Sequence, residues 1–144
     1  MTTHSSLLDS VLVSPAHIKL QALVATAVNG TAIDMQGWDG CVFVIPYGVF
    51  GASGTLTGLV QKDDNSGFNS PTNIANSSIA TVNAANANAG VAVDVYQPSE
   101  RYLRMQLTGQ TNGVTAGVVA IQYRRTGILP PTQTLVEVVR VVAG

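Results

Sequence analysis

The sequence predicts an all-β protein, an antiparallel β-sandwich of jelly-roll-like form with extended N- and C-terminal arms. Two observations carry that expectation. Apolar and polar residues alternate with a period of two through several segments, the pattern of strands with one dry face and one wet face. Gly, Asn, Asp and Pro recur between those segments at short spacing, as turn residues do. The result is roughly eight strands with no helical segment. A chain of 144 residues forms one domain with a single core. Residues 1–16 are expected as an N-terminal arm, 17–125 as the sandwich, and 126–144 as a C-terminal arm or added edge strand.

The clearest alternation runs from Arg101 to Leu107, where Leu103, Met105 and Leu107 interleave with Tyr102, Arg104 and Gln106. A turn rich in Gly and Asn follows, then Val118-Val-Ala-Ile-Gln-Tyr, apolar enough to be covered on both faces. Two strands joined in this way are expected to form an antiparallel hairpin. Upstream, Leu7-Leu-Asp-Ser-Val-Leu-Val ends at Ser14-Pro15 and suits addition to a sheet edge. From Ile18 to Thr26, Ile18, Leu20, Ala22 and Val24 share one face; a short helix fits the same residues, but Asn29-Gly30 favours a strand. Cys41-Val-Phe-Val-Ile is the most apolar strand, ending at Pro46. Thr55–Lys62 is another strand; after its turn, Phe68 folds back onto the core.

Residues 71–90 are almost purely Asn, Ala and Ser, in which side chains compete with helical backbone bonds. A long surface loop is expected there, with one short strand around Ile79–Val82. Val91, Val93 and Val95 then point inward along the next strand. Pro130-Pro131 interrupts the ladder after Tyr123, and Leu135–Val142 is β-prone throughout. Such a strand must pair with an edge of this subunit or of another, since an exposed one invites aggregation.

Composition narrows the functions. Charged residues make up 10% and hydrophobic residues 46% of the chain, against roughly 25% charged in ordinary soluble domains. Charge is what keeps proteins apart in solution, so a neutral surface suits a subunit that docks to something. Seven basic and eight acidic residues give a net charge of −1 with no basic stripe, which argues against nucleic-acid binding. No apolar run is long enough to span a membrane as a helix, and the N-terminus does not read as a secretory signal.

Little in the chain speaks for catalysis. His4 and His17 have no partners at metal-ligand spacing, and the single cysteine, Cys41, reads as a buried thiol. There is no G-x-S-x-G elbow, and no carboxylate pair is singled out as acid and base. Asp63-Asp-Asn-Ser-Gly reads as a hairpin turn, because it lacks the remaining positions of a calcium loop. No enzyme activity, cofactor, metal or small-molecule substrate is expected. Trp38, flanked by glycines, suits a plug at the core edge or a stacking surface for a sugar or partner. Arg101, Arg104, Arg124 and Arg125 suit either an internally paired strand face or bidentate docking to a partner's carboxylates.

The order of segments resembles a known group. Leu7-Leu-Asp-Ser, then Asn29-Gly-Thr-Ala-Ile-Asp-Met-Gln-Gly-Trp-Asp, then Thr55–Phe68 and Arg101-Tyr-Leu-Arg-Met-Gln-Leu-Thr are similar to small head structural proteins of tailed bacteriophages. That group includes capsid decoration, or cement, proteins. The resemblance covers residues 7–125; Leu135–Val142 continues past the short proline-containing tail that usually ends the pattern. It implies a jelly-roll-like fold, self-association with a homodimer as the expected form, and binding to the major capsid protein. It places the chain on the capsid exterior of a virion, after synthesis in the host cytoplasm. Partner contacts are then expected from Leu7, Leu8 and Val11 in the first arm and from Trp38, Arg101, Arg104, Arg124 and Arg125 in the body. Leu135, Val138 and Arg140 would supply those of the second arm. The competing expectation is a carbohydrate-binding or host-attachment module of a phage fibre or tail, using Trp38 and the Asn-rich loop.

Overall fold

The computed structural model describes residues 10–124 and 137–142; in the second stretch it describes the backbone and the Val141 side chain. The long strands are β1 (Val11–Leu23), β4 (Gly40–Phe50), β5 (Thr55–Asp63), β8 (Ala89–Tyr96), β9 (Tyr102–Gln110) and β10 (Val114–Tyr123). Shorter ones are β2 (Thr26–Asn29), β3 (Ile33–Asp34), β6 (Thr72–Asn73), β7 (Val82–Asn83) and β11 (Glu137–Val142). They form two sheets. One has the order β1-β10-β4-β8-β11, and the other runs β2-β9-β5-β6, with β3 also on β9 and β7 also on β5. The expected antiparallel β-sandwich is formed, with one exception in pairing: β11 runs parallel to β8.

Alternation decides which residues fill the gap between the sheets. Phe43 and Ile45 of β4, Val91, Val93 and Val95 of β8, and Leu103, Met105 and Leu107 of β9 are all fully buried. Cys41 is buried beside them as a free thiol. Facing rows of this kind supply the hydrophobic stabilisation of a sandwich, at about 25 cal/mol per Å² of apolar area removed from water.

The expected hairpin is not formed. β9 belongs to the second sheet, between β2 and β5, whereas β10 lies in the first, between β1 and β4. The turn between them carries the chain from one sheet to the other, through positive φ at Thr111 (58°) and Gly113 (66°). A side chain at Gly113 would overlap the Leu23 carbonyl, so the crossing needs glycine there. Each other crossing between sheets also holds a positive-φ residue: Ala25, Gly37, Ser53, Asn88 and Gln97. Alternation reports which face of a strand is dry; it carries no information on which strand lies alongside.

Three further expectations are corrected. β1 runs straight through Ser14-Pro15 to Leu23, but its register against β10 shifts between Ser14 and Ile18 and again between Ile18 and Gln21. Ile18 and Leu23 are therefore inward, while Leu20 is 71% exposed and Val24 lies outside as well. β4 does not stop at Pro46 but continues to Phe50, with Pro46 beside Gly90 and a register shift beyond it. β10 is not covered on both faces: Val118 and Ala120 are buried, and Val119 and Ile121 are half-buried. Phe68 is buried, but outside the main core cluster, under the Arg104 guanidinium at 4.3 Å.

The Asn-rich segment covers the edge of β5. Ile74 N–H donates to the Val60 carbonyl at 2.9 Å, and Ile79 N–H to the Gly58 carbonyl at 3.0 Å. Between them, the fully buried Ser77 hydroxyl accepts from Val60 N–H at 3.0 Å and donates to the Ile74 carbonyl at 2.8 Å. One serine thus stands in for a ladder position. Ser77→Ala leaves the Val60 N–H buried and unpaired, so a loss of about 1–3 kcal/mol is expected in urea denaturation.

His17 ties the two sheets together. It sits in β1, and its Nε2 accepts from the Met105 N–H of β9 at 3.0 Å, while the Met105 carbonyl accepts from Gly30 N–H at 2.9 Å. A side chain at Gly30 would overlap the imidazole. Because Nε2 accepts, the ring is neutral with its proton on Nδ1. Burial lowers its pKa from 6.5 to about 4. Between these values the unfolded chain binds a proton that the fold refuses, so stability falls as pH drops through this window and levels off below it. The expected loss is about 3 kcal/mol, read from urea midpoints across the range. His17→Gln, which does not titrate, is expected to flatten the dependence.

Candidate interaction surfaces

One end of the sandwich gathers several of the residues expected to meet a partner. After β3 the chain turns through Gly37 (φ 83°) into β4. This turn is held from beneath: Met35 N–H donates to the Arg101 carbonyl at 2.8 Å and Trp38 N–H to the Met35 carbonyl at 3.0 Å. Gln122, buried on β10, reaches up to donate from Nε2 to the Asp34 carbonyl at 2.6 Å. Arg101 clasps Asp34 with two bonds, Nε to Oδ1 at 2.9 Å and Nη2 to Oδ2 at 2.8 Å. That guanidinium, helped by the Gln36 N–H, holds the Asp34 carboxyl down to about 2. Both side chains are about half exposed, so the pair orients groups more than it stabilises the fold.

Trp38 is half-buried against the core. The Arg124 guanidinium lies 5.0 Å from its ring centre, and Arg124 Nε donates to the Gly37 carbonyl at 3.2 Å. Next to Arg124, the Tyr123 hydroxyl donates to Asp94 Oδ1 at 2.6 Å; burial, then that carboxylate, pushes its pKa up. Between the 35–39 turn and the 97–101 turn lies an open recess of about 420 Å³, lined among others by Met35, Trp38, Gln97, Glu100 and Arg101. Val11, in register with Tyr123, falls at the same end. The structure thus brings together Val11, Trp38, Arg101 and Arg124.

The other expected contacts lie elsewhere. Arg104 is on the outer face of the second sheet, donating from Nε to Gln61 Oε1 at 2.8 Å. Val138 and Arg140 sit on β11 at the register positions beside Ala92 and Asp94. Leu7, Leu8, Arg125 and Leu135 lie outside the described residues. Arg101, Arg104 and Arg124 each have a hydrogen-bond partner within the chain.

A surface not singled out from the sequence is the outer face of the five-stranded sheet. Register places Val13, Ile121 and Val42 side by side in one row, and Val119, Val44 and Ala92 in the next. Near them, Leu20 is 71% and Val49 68% exposed. The first row continues to Asp94 of β8 and ends at the register position of Arg140 on β11. The outer face of the second sheet is different: Gln106 bonds Asn29 at 2.8 Å, and Gln61 bonds Asn73 at 3.1 Å. One face is therefore a polar ladder and the other an apolar patch of the kind that marks association surfaces. The signal was in the sequence, in strands apolar on both sides, but it read equally well as a wholly buried sheet.

Among the described residues, no group of three or more His, Cys, Asp or Glu could hold a metal ion. No helix among them is long and apolar enough to cross a membrane. Burial pushes the Cys41 thiol pKa up, which disfavours the reactive thiolate. Gln122→Leu keeps the volume under the 35–39 turn but strands the Asp34 carbonyl. A loss of about 1–3 kcal/mol is expected, together with faster amide exchange at Met35 and Trp38 by NMR.

No family model matches the chain, and no curated protein does. Among solved structures, the chain is similar to the PBSX exported protein XepA, with a TM-score of 0.59 at 17% identity. The match covers 92% of this chain and 43% of the XepA chain, so this sequence spans less than half of that protein. At this identity the similarity shows a shared fold.

Proposed function

We propose that this chain is a structural protein of a phage particle, one that binds the outer surface of the capsid and bridges major capsid protein subunits. In this reading it performs no reaction and needs no cofactor. The observation that carries the proposal is the apolar outer face of the five-stranded sheet, bordered by the exposed Val13 and Leu20 of the edge strand β1. A contiguous apolar face of that kind marks an association surface, and a chain with 10% charged residues has little repulsion to keep a partner away. The similarity to XepA, a phage-related protein, supports a phage particle as the setting. The order of segments, similar to that of decoration proteins, supports the capsid as the partner. Many weak contacts, repeated over a symmetric lattice, add up through effective concentration.

A second reading, a host-attachment or carbohydrate-binding module, is favoured by one observation: Trp38 lines an open recess with Glu100 and Arg101. The two readings differ in copy number. Capsids of the encoding phage, stripped of this protein and then incubated with it, are expected to take it up in hundreds of copies across the shell by electron microscopy. The double variant Val44→Lys with Ile121→Lys, folded by circular dichroism, is expected to bind at least tenfold more weakly. Uptake unchanged by that variant, or a few copies confined to a vertex or tail, would count against the capsid reading.

A further inference from the structure

The outer face of the second sheet is not paired throughout. On the β5–β9 ladder, Leu56, Val60, Met105 and Leu107 are fully buried. Alternation therefore turns Thr57 and Leu59 of β5, and Gln106 and Thr108 of β9, to the outside, where each is half-buried. Register sets Thr57 beside Thr108 and Leu59 beside Gln106. Together with Ser78 and Ile79 of the Asn-rich segment, these four residues line a groove of about 300 Å³. That volume lies at the lower end of the range for small-ligand sites, roughly 300–1,000 Å³.

The groove is built before any ligand arrives. Ser78 sits between two anchors: the Ser77 hydroxyl, which accepts from Val60 N–H at 3.0 Å, and Ile79 N–H, which donates to the Gly58 carbonyl at 3.0 Å. Gln106 donates from Nε2 to Asn29 Oδ1 at 2.8 Å, which fixes its amide and leaves Oε1 as an acceptor. The hydroxyls of Thr57, Ser78 and Thr108 have no hydrogen-bond partner among the described residues. Each can both donate and accept. Leu59 adds an apolar spot among them. Groups held in place in this way lose little freedom when a ligand binds.

The lining decides what fits. No described residue in it carries a titratable group. A charged ligand would give up its hydration there and meet no counter-charge, so the occupant is neutral. It must offer hydroxyls or amides at its rim and an apolar patch between them. An extended peptide fits less well, because it reads a sheet through free backbone groups at an edge. The β5 and β9 backbones beneath the groove are already paired with each other. We infer that this groove binds an uncharged glycan, with a pyranose ring over Leu59 and its hydroxyls bonded to Thr57, Ser78, Gln106 and Thr108. The groove lies on the sheet opposite the apolar face, so it stays open when that face is covered. The inference shares a ligand class with the host-attachment reading, but it depends neither on the Trp38 recess, which Glu100 and Arg101 line, nor on the capsid.

The test titrates the isotope-labelled full chain by NMR with neutral oligosaccharides of starch, cellulose and chitin, up to millimolar concentration. An oligomer of galacturonic acid is the charged control, and a Ser/Thr-rich peptide is the rival occupant. At least one neutral oligosaccharide is expected to shift the amides of Leu59, Ser78 and Gln106, while the charged oligomer leaves them unmoved. Thr57→Val with Ser78→Ala removes two of the hydroxyls and keeps the shape of the groove. It is expected to bind at least tenfold more weakly, with an unchanged urea midpoint and unchanged uptake by capsids. Thr108→Val serves in its place should that variant fail to fold. The inference is overturned if no neutral oligosaccharide shifts the groove, if the peptide alone does so, or if the folded variant binds as tightly as wild type. Shifts confined to Trp38 and Arg101 overturn it too, while upholding the host-attachment reading.

Discussion

Everything in this fold depends on keeping the gap between two sheets dry. Strands in facing sheets stand about 10 Å apart, and alternate side chains from both must fill that space without voids. The inward rows of β4, β8 and β9 do so with fully buried Val, Leu, Ile, Phe and Met. The chain serves this gap by crossing it repeatedly, so that none of the long strands pairs with the long strand that follows it in sequence. Five of the six crossings use a residue other than glycine in the left-handed region, at Ala25, Ser53, Asn88, Gln97 and Thr111. Such residues carry local strain of about 1 kcal/mol or more, tolerated because the core on either side fixes where the chain must go.

The sequence made the inward rows visible and concealed the neighbours. Leu103, Met105 and Leu107, and Val91, Val93 and Val95, are inward as their alternation implies. Partnership was not readable, because hairpins and crossings produce the same alternation and both use Gly and Asn in their turns. Local irregularity was the second blind spot. Two register shifts in β1 turned Leu20 outward and Leu23 inward, and periodicity has no term for a bulge. The third was the Asn-rich stretch, whose composition suggested a free loop while Ile74, Ser77 and Ile79 pin it to β5. Among the candidate contacts, only geometry could show that Trp38, Arg101 and Arg124 meet at one end while Arg104 does not.

The two outer faces give the molecule a direction. Amide and guanidinium side chains on the second sheet satisfy one another in pairs, such as Arg104 with Gln61 and Gln106 with Asn29, and leave a surface content in water. Valine and isoleucine on the five-stranded sheet have no such arrangement. A molecule built this way has two unlike sides, one polar and one apolar. At the end between the faces, Arg101 with Asp34 and Arg124 over Trp38 hold their groups in fixed orientations at the rim of a recess. Contacts made there would need little reordering of side chains, which is where much of the entropic penalty of association otherwise arises.

The pairing of β1 with β10 sets Val11 beside Tyr123, residues more than a hundred positions apart. A nascent chain emerging from a ribosome therefore cannot join β1 to β4 until β10, more than a hundred residues after Val11, has been translated. Topologies so dominated by distant pairings acquire their structure late and slowly. For a chain with one apolar face, that delay has a consequence: the row of Val13, Ile121 and Val42 comes into being only once β10 lies between β1 and β4.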